Sequence, residues 1–387
     1  MKYDPLALVQ SLTDAKAAVM SLKTIPFQRT WAEALQKVQL KFEVAGTSRI
    51  EGADFTDKEL DAALNTTPQE LITRSQKQAH AAVQTYRWIA GLEDDRPIGS
   101  ELIREVHRRI VTGADDDHCP PGQIRSADNN VTFGIPPHRG AEGGEECTKA
   151  FEKLSEAIQR EFRHHDPLIQ ALALHYHFAA IHPFLDGNGR TARALEALVL
   201  QRSGLRDALF IAMSNYYYDE KKTYLETLGQ VRAQTHDLTP FLLFGLKGIA
   251  IQCGRLFEVI RTNIAKEMFR NLMYDLFDRL QTPKKRVIAM RQIEILKLLL
   301  KIDTVEWPEF SRMAAGIHRT LSKPEMALVR DINYLRELGA VRVWRDAPDS
   351  PLIFLRINLE WPAQITETEF FEKTRRFSKA KPHSLAL

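Results

Sequence analysis

"HPFLDGNGRTAR", residues His182 to Arg193, decides how this chain is read. Within twelve residues stand a histidine, an aspartate, an asparagine, two glycines and two arginines. A turn that only joins two helices needs one glycine and a few solvated polar residues. Upstream, "LIQALALHYHFAAI" has helical periodicity, with Leu168, Leu172 and Ala179 on one stripe. It should end near His182, because Pro183 disfavours a helical residue before it. Downstream, "RTARALEALVLQRSG" reads as a second helix, with Leu195, Leu198 and Val199 turned inward and Gly204 as its stop. Asp-Gly-Asn-Gly therefore stands at a helix N-terminus.

That placement suggests chemistry. Amides at a helix start, with glycines that let the backbone come close, form a socket for phosphate oxygens. Arg190 and Arg193, almost one turn apart, can face one ligand and supply forked donors to a polyphosphate. Asp186 offers one hard oxygen, and magnesium is commonly held by one or two carboxylates together with substrate phosphates. His182 can accept a proton near neutral pH and so activate a hydroxyl. Taken singly, these are turn glycines, a core histidine and solvated arginines. Taken together they point to nucleotidyl or phosphoryl transfer.

The run His-Pro-Phe-x-Asp-Gly-Asn-Gly-Arg, with a second arginine three residues on, resembles the signature of the Fic family. A weaker likeness extends over residues 1 to about 280. The resemblance implies a helical domain around the loop and transfer of AMP from ATP, with Mg2+, to a hydroxyl of a target protein. It implies His182 as the base and Asp186 as the metal ligand. It further implies Gly187, Asn188 and Gly189 as the α-phosphate socket, Arg190 as a phosphate clamp and Arg193 as holder of the γ-phosphate. "GQIRSADNNVTFGIPP" is similar to the family's flap, a β-hairpin along which a target segment would dock near residues 124–135; a surface loop without a ligand is the other reading. "SNYYYDEKKTY" is similar to the adenine-pocket segment, although tyrosines on a helix are as often core.

"AGTSRIEG", residues 45–52, fits a second Fic pattern through Thr47, Glu51 and Gly52. The resemblance implies an inhibitory helix whose Glu51 pairs with Arg193 and withholds it from ATP. Ser48 and Glu51 also have capping-box spacing, and Gly52 could be a helix stop. Removal of AMP, or another nucleotide or phosphocholine donor, are alternative Fic chemistries.

At 387 residues the chain should hold two or three domains. The expected division is an N-terminal helical region with the inhibitory motif (1–95), a catalytic core (96–235), a helical linker (236–282), a winged helix-turn-helix (283–362) and a tail (363–387). The fold class expected is mainly α. The winged unit is read from the helices "RVIAMRQIEILKLLLKI" and "SKPEMALVRDINYLRELG", the latter with Ser322 and Glu325 at capping-box spacing, followed by alternating "AVRVWR" and "PLIFLRINL" as a two-stranded wing. Its second helix should bury Leu328, Ile332 and Leu335 and expose Arg330, Asn333, Tyr334 and Arg336, with Asp331, Glu337 and Asp346 diluting the charge. A DNA-binding regulator with a nucleotide-sensing core is thus the rival of an AMP-transferring enzyme whose tail docks partners. A homodimer is the other partner considered. A net charge of +3 gives no global argument for nucleic acid or membranes. Cys119, Cys147 and Cys253 lack metal-site spacing and read as reduced thiols. With no long apolar run, a cytoplasmic protein with no membrane contact is expected.

Overall fold

Helices carry most of the chain in the computed structural model, which describes residues 1–25, 29–53, 55–65, 70–205, 211–234, 236–280, 282–376 and 384–386. Five helices come first: α1 (Pro5–Thr24), α2 (Arg29–Ile50), α3 (Asp57–Asn65), α4 (Arg74–Ala90) and α5 (Ser100–Val111). A short antiparallel hairpin follows, β1 (Thr132–Phe133) paired with β2 (His138–Arg139). Then come α6 (Glu145–Gln159), α7 (Pro167–Ile181), α8 (Asn188–Leu200), α9 (Met213–Asp219), α10 (Lys221–Ala233) and the 40-residue α11 (Thr239–Asp278). The remaining elements are α12 (Pro283–Leu299), β3 (Val305–Glu306), α13 (Trp307–His318), α14 (Pro324–Glu337), β4 (Val341–Arg345), β5 (Ile353–Ile357), α15 (Trp361–Gln364) and α16 (Glu367–Arg376). The chain divides into two units, Met1–Phe257 and Glu258–Leu387, and the division falls within α11.

In the first unit α7 and α8 form the hub. Asp166 caps α7 by accepting from the Leu168 amide at 3.0 Å, with Pro167 at the first helical position. The helix stops where Pro183 requires: His182 turns left-handed (φ 53°, ψ 60°) and Gly187 (φ 73°) opens α8. α8 is buried on all sides from Arg190 to Leu200, wider than the stripe read from its sequence. It passes at Leu200 into one wider turn, Gln201–Leu205, so Gly204 lies inside a turn and is not its stop.

α2 continues through Gly46 to Ile50. The glycine is needed there for close approach: a Cβ would sit 2.4 Å from the Ser214 carbonyl carbon and oxygen. One turn earlier the buried Glu43 accepts from the Ser214 amide at 2.8 Å, from the Ser214 hydroxyl, and from Tyr86 at 2.7 Å. Burial pushes the Glu43 carboxyl up to about 7, against the pull of these hydrogen bonds. Together these contacts latch α2 onto α9 and fix where its last turn, bearing Glu51, lies.

The second unit has a separate core formed by Phe269, Met273 and Phe277 of α11, Ile295 and Leu299 of α12, Phe310, Leu328, Ile332, Leu335, Leu355, Trp361 and Phe370. Segments 236–282 and 363–387 therefore contribute core residues. Three helices and three strands, in sheet order β3-β5-β4, replace the two helices and two strands read from the sequence. The missed pieces are the 12-residue α13 and β3, the latter at two residues too short for alternation to reveal. The Ser322–Glu325 capping box does not form, because Lys323 is the N-cap of α14. Asp331, read as a surface charge, is fully buried and accepts from Arg291 and His318, each at 2.9 Å. Arg330, Asn333, Tyr334 and Arg336, expected exposed, are half-buried.

In an ordinary helix interior Gly→Ala gains about 1 kcal/mol. Gly46→Ala is expected to reverse that sign and cost roughly 1–3 kcal/mol by forcing α2 off α9. Chemical denaturation of both proteins measures it; a stabilised variant would mean that the close approach does not constrain α2.

Candidate active site

The signature loop is braced from inside. Asn188, read as part of a phosphate socket, turns its side chain inward: Oδ1 accepts from the Phe184 amide at 3.0 Å and Nδ2 donates to the Phe184 carbonyl at 2.8 Å. Only its backbone amide, among the first of α8, is placed for an anion. His107 of α5 supports the loop from below. Its Nδ1 accepts from the Gly122 amide at 2.9 Å, leaving Nε2 to donate to the Asp186 carbonyl at 3.0 Å, and its ring stacks on Phe184 at 3.7 Å. Burial drives its pKa down to about 4, keeping it neutral for that task.

His182 sits at the C-terminal end of α7. Its Nδ1 lies 3.2 Å from the Ala179 carbonyl, and donation there leaves Nε2 as an acceptor. Phe133 of β1 stacks on the imidazole, with centroids 3.7 Å apart and planes 15° from parallel. Burial lowers the His182 pKa to about 4, so the ring is a neutral base at pH 7. The hairpin is tied to this end of α7 by Arg125, which sequence reading did not single out. The Arg125 guanidinium donates to the carbonyls of His182 at 2.8 Å and Asn129 at 3.1 Å and to that of Ala141, while its amide donates to Pro183 at 3.0 Å.

Glu51 and Arg193 meet. An Arg193 Nη2–Glu51 Oε1 bond of 2.5 Å joins them, and Thr47 takes Nε at 2.8 Å through its hydroxyl and Nη2 at 3.3 Å through its carbonyl. Arg193 is buried, whereas the Glu51 side chain is 38% exposed. Burial raises the Glu51 carboxyl, but the Arg193 charge outweighs it and holds the group below its ordinary value. A Cβ at Gly189 would lie 2.3 Å from Glu51 Oε1, so this carboxylate rests directly over the loop. The capping-box reading fails: Ser48 lies inside α2, and Glu51 follows the helix end, with Gly52 at φ 89° turning the chain away.

The two arginines of the signature have different partners. Arg190 is buried and donates from Nη1 to the buried Asp115 at 2.6 Å, with Nη2 3.4 Å from Asp186. Asp115 also takes Arg74 Nε at 2.7 Å and Gln78 at 2.9 Å. Asp186 is half-exposed, with His118 Nε2 at 3.0 Å and Arg74 at 3.4 Å. Burial raises its pKa, but Arg190 and His118 pull it below the ordinary carboxylate value. Asp115, His118 and Asp186 bring their ligand atoms within 4.8 Å of one another. With Asp115 committed to its cations, Asp186 is the carboxylate suited to magnesium.

Glu51, Phe133, His182, Gly189, Arg193 and Tyr224 line a cavity of about 450 Å³. Of the tyrosines read as a pocket wall, Tyr216 and Tyr217 are core, Tyr218 is 39% exposed, and only Tyr224 faces the cavity.

Fold and site together define a helical domain with an anion-ready loop at a helix start and an acidic side chain seated on it. Residues 97–200 match the Fic/DOC family. It is 31% identical over 156 residues to protein adenylyltransferase Fic of Nematostella vectensis, covering 40% of this chain and 33% of that protein. It is 32% identical over 167 residues to protein adenylyltransferase fic-1 of Caenorhabditis elegans, covering 43% and 30%. The chain thus spans about a third of the length of these curated relatives. A crystal structure of a Fic family protein from Desulfovibrio desulfuricans G20 superposes with a TM-score of 0.58 at 19% identity, over 92% of this chain and 97% of that one. Fic-1 (aa134 - 508) from C. elegans gives 0.54 at 21%, over 67% and 75%. Both similarities concern the fold. No helix among the described residues is long and apolar enough to cross a membrane.

Since burial under Phe133 favours neutral His182, uncovering the ring should favour its protonated form. Phe133→Ala is expected to move the His182 titration midpoint up from about 4 toward its ordinary 6.5. The imidazole proton shifts followed by NMR across pH read this directly; an unmoved midpoint would assign the low value to something other than the flap.

Proposed function

We propose that the chain is an autoinhibited protein adenylyltransferase, moving AMP from ATP to a hydroxyl side chain of a target protein and releasing pyrophosphate. The observation that carries this is the Glu51 carboxylate over Gly189, paired with Arg193 where a phosphate would otherwise be drawn. The names of the curated relatives support the reaction.

The roles follow from the geometry. Amides at the start of α8, from Gly187 to Gly189, hold the α-phosphate. His182, neutral and with Nε2 free to accept, takes the hydroxyl proton as the oxygen attacks the α-phosphorus and the bond to pyrophosphate breaks. Arg193 binds the terminal phosphate, and Arg190, fixed by Asp115, contributes positive charge below the loop. Asp186 would hold magnesium, which supplies charge neutralisation on the phosphates. A target segment would lie along β1 and β2, its hydroxyl presented to His182 once Phe133 moves aside. While Glu51 engages Arg193, ATP lacks its bidentate partner and lies misaligned.

For Glu258–Leu387 we read a winged helix-turn-helix, since α12, β3, α13, α14 and the β4–β5 hairpin follow in the order that fold requires. This unit holds 23 Lys and Arg against 17 Asp and Glu, in a chain that totals 53 against 50. The charge asymmetry favours DNA as a second reading. Against it, Asn333 at the centre of α14 bonds the Ser384 carbonyl at 3.2 Å and the Ala386 amide at 2.8 Å, so the chain's own tail covers the helix a duplex would meet. We therefore assign the unit to docking a protein partner, with homodimerisation as one case. A gel shift of the full chain on genomic duplexes decides: no retardation at low salt is expected, whereas a shift that weakens steeply as salt rises would restore the DNA reading.

Glu51→Gly is expected to raise transfer of label from α-labelled ATP by at least about tenfold, the scale of a charged hydrogen bond lost at the reacting complex. Adding His182→Ala should abolish it. Equal labelling by wild type and Glu51→Gly, both folded, would end the autoinhibition assignment.

A further inference from the structure

His118 has no part in the reaction described, yet it meets the carboxylate suited to the metal. It stands in the turn after α5, where the amides of His118 and Cys119 both donate to the Asp115 carbonyl, at 3.3 and 3.0 Å. Cys119 is fully buried, and its Sγ accepts from the Asp186 amide at 3.3 Å. The neighbour of His118 is thus pinned to the residue that carries the carboxylate. His118 Nε2 lies 3.0 Å from Asp186 Oδ2, and His118 Nδ1 lies 2.6 Å from Asp117 Oδ1.

The Asp117 carboxylate only accepts, so Nδ1 donates to it and Nε2 is the ring atom left for a cation. Metal-bound histidines commonly give their other N–H to a carboxylate, which fixes the ring and makes the ligating nitrogen more basic. The spacing fits too. Two ligand atoms at right angles on a six-coordinate ion, each about 2.1 Å from it, lie about 3 Å apart. His118 and Asp186 both reach solvent, which leaves room for phosphate or water in the other positions of such an ion.

A cation already lies against this pair. Arg74 Nη2 is 3.1 Å from His118 Nε2 and 3.4 Å from Asp186 Oδ2. The Arg74 side chain is exposed, and its Nη2 and Nε lie 2.6 and 2.7 Å from Asp115 Oδ1. Its tip can turn from the pair while Nε keeps Asp115. Two acceptors from separate loops therefore converge on a place that draws positive charge, and one of them is nitrogen. That nitrogen bears on the choice of metal, since magnesium takes oxygen ligands whereas imidazole suits transition metals.

We propose that His118 is a second protein ligand beside Asp186, and that the site takes a divalent transition metal such as Mn2+ in preference to Mg2+. This rests on the reading of Asp186 as the metal carboxylate. Asp117 orients the imidazole, and Arg74 yields its place to the ion.

Pulsed electron paramagnetic resonance of Mn2+ and ATP on the full chain carrying Glu51→Gly, with protein in excess, tests this. A directly bound imidazole nitrogen modulates the Mn2+ echo, and a nitrogen isotope label confined to histidine alters that modulation, which adenine nitrogens cannot imitate. Label-dependent modulation is expected, and adding His118→Ala should remove it. In metal titrations of the ATP complex, His118→Ala is expected to weaken Mn2+ at least about tenfold while Mg2+ changes little. Modulation that ignores the histidine label, or survives His118→Ala, would overturn the proposal. Equal losses of Mn2+ and Mg2+ would also overturn it, reducing His118 to a hydrogen-bonded prop of Asp186. Asp186→Asn separates the premise: if that variant binds Mn2+ as before, the reading of Asp186 fails and the proposal with it.

Discussion

Arg193 is a cation buried almost completely within a helical hub, and a buried cation must be compensated. That demand organises the first unit around the site. α2 supplies both of its hydrogen-bond partners, Thr47 and Glu51. Of these partners only Glu51 carries the opposite charge close at hand, and it is the most exposed of them. Taking it away leaves a preformed anion site, which is what a terminal phosphate needs. Under the proposed function, inhibition and substrate binding would be two answers to one electrostatic requirement.

The same arrangement explains how a switch can be small. The Glu43–Ser214 contacts and the Gly46 close approach fix the body of α2, while Glu51 and Gly52 lie past its end. Displacing one terminal turn would free the guanidinium without unpacking the helix. His182 is covered in a similarly local way. One flap ring, Phe133, stacks on the imidazole, and Arg125 ties the flap base to the backbone of the loop it covers.

What could be read from the sequence was what local chemistry dictates. Pro183 and the glycines set the break between α7 and α8, and the order of residues placed a histidine, a carboxylate and two arginines on one loop. The Glu51–Arg193 pairing was legible only through the resemblance, because 142 residues separate the partners. His107 and Asp115 went unrecognised for the same reason, each reaching the site through tertiary folding from outside any motif, whereas Arg125 and Tyr224 lay inside the segments read as flap and adenine pocket without being singled out. The inward turn of Asn188 was hidden because an asparagine beside a glycine serves an open turn and a buried brace equally well. In the second unit, burial of Asp331 depends on Arg291 and His318 arriving from two other helices, which no periodicity encodes.

The central claim is that one guanidinium is shared in alternation by Glu51 and the terminal phosphate. A crystal structure of the Glu51→Gly chain with ATP and magnesium addresses it most directly. The account predicts the Arg193 guanidinium within hydrogen-bonding distance of the γ-phosphate and the α-phosphate on the amides that open α8. A terminal phosphate bound elsewhere, with Arg193 still held only by Thr47, would contradict it.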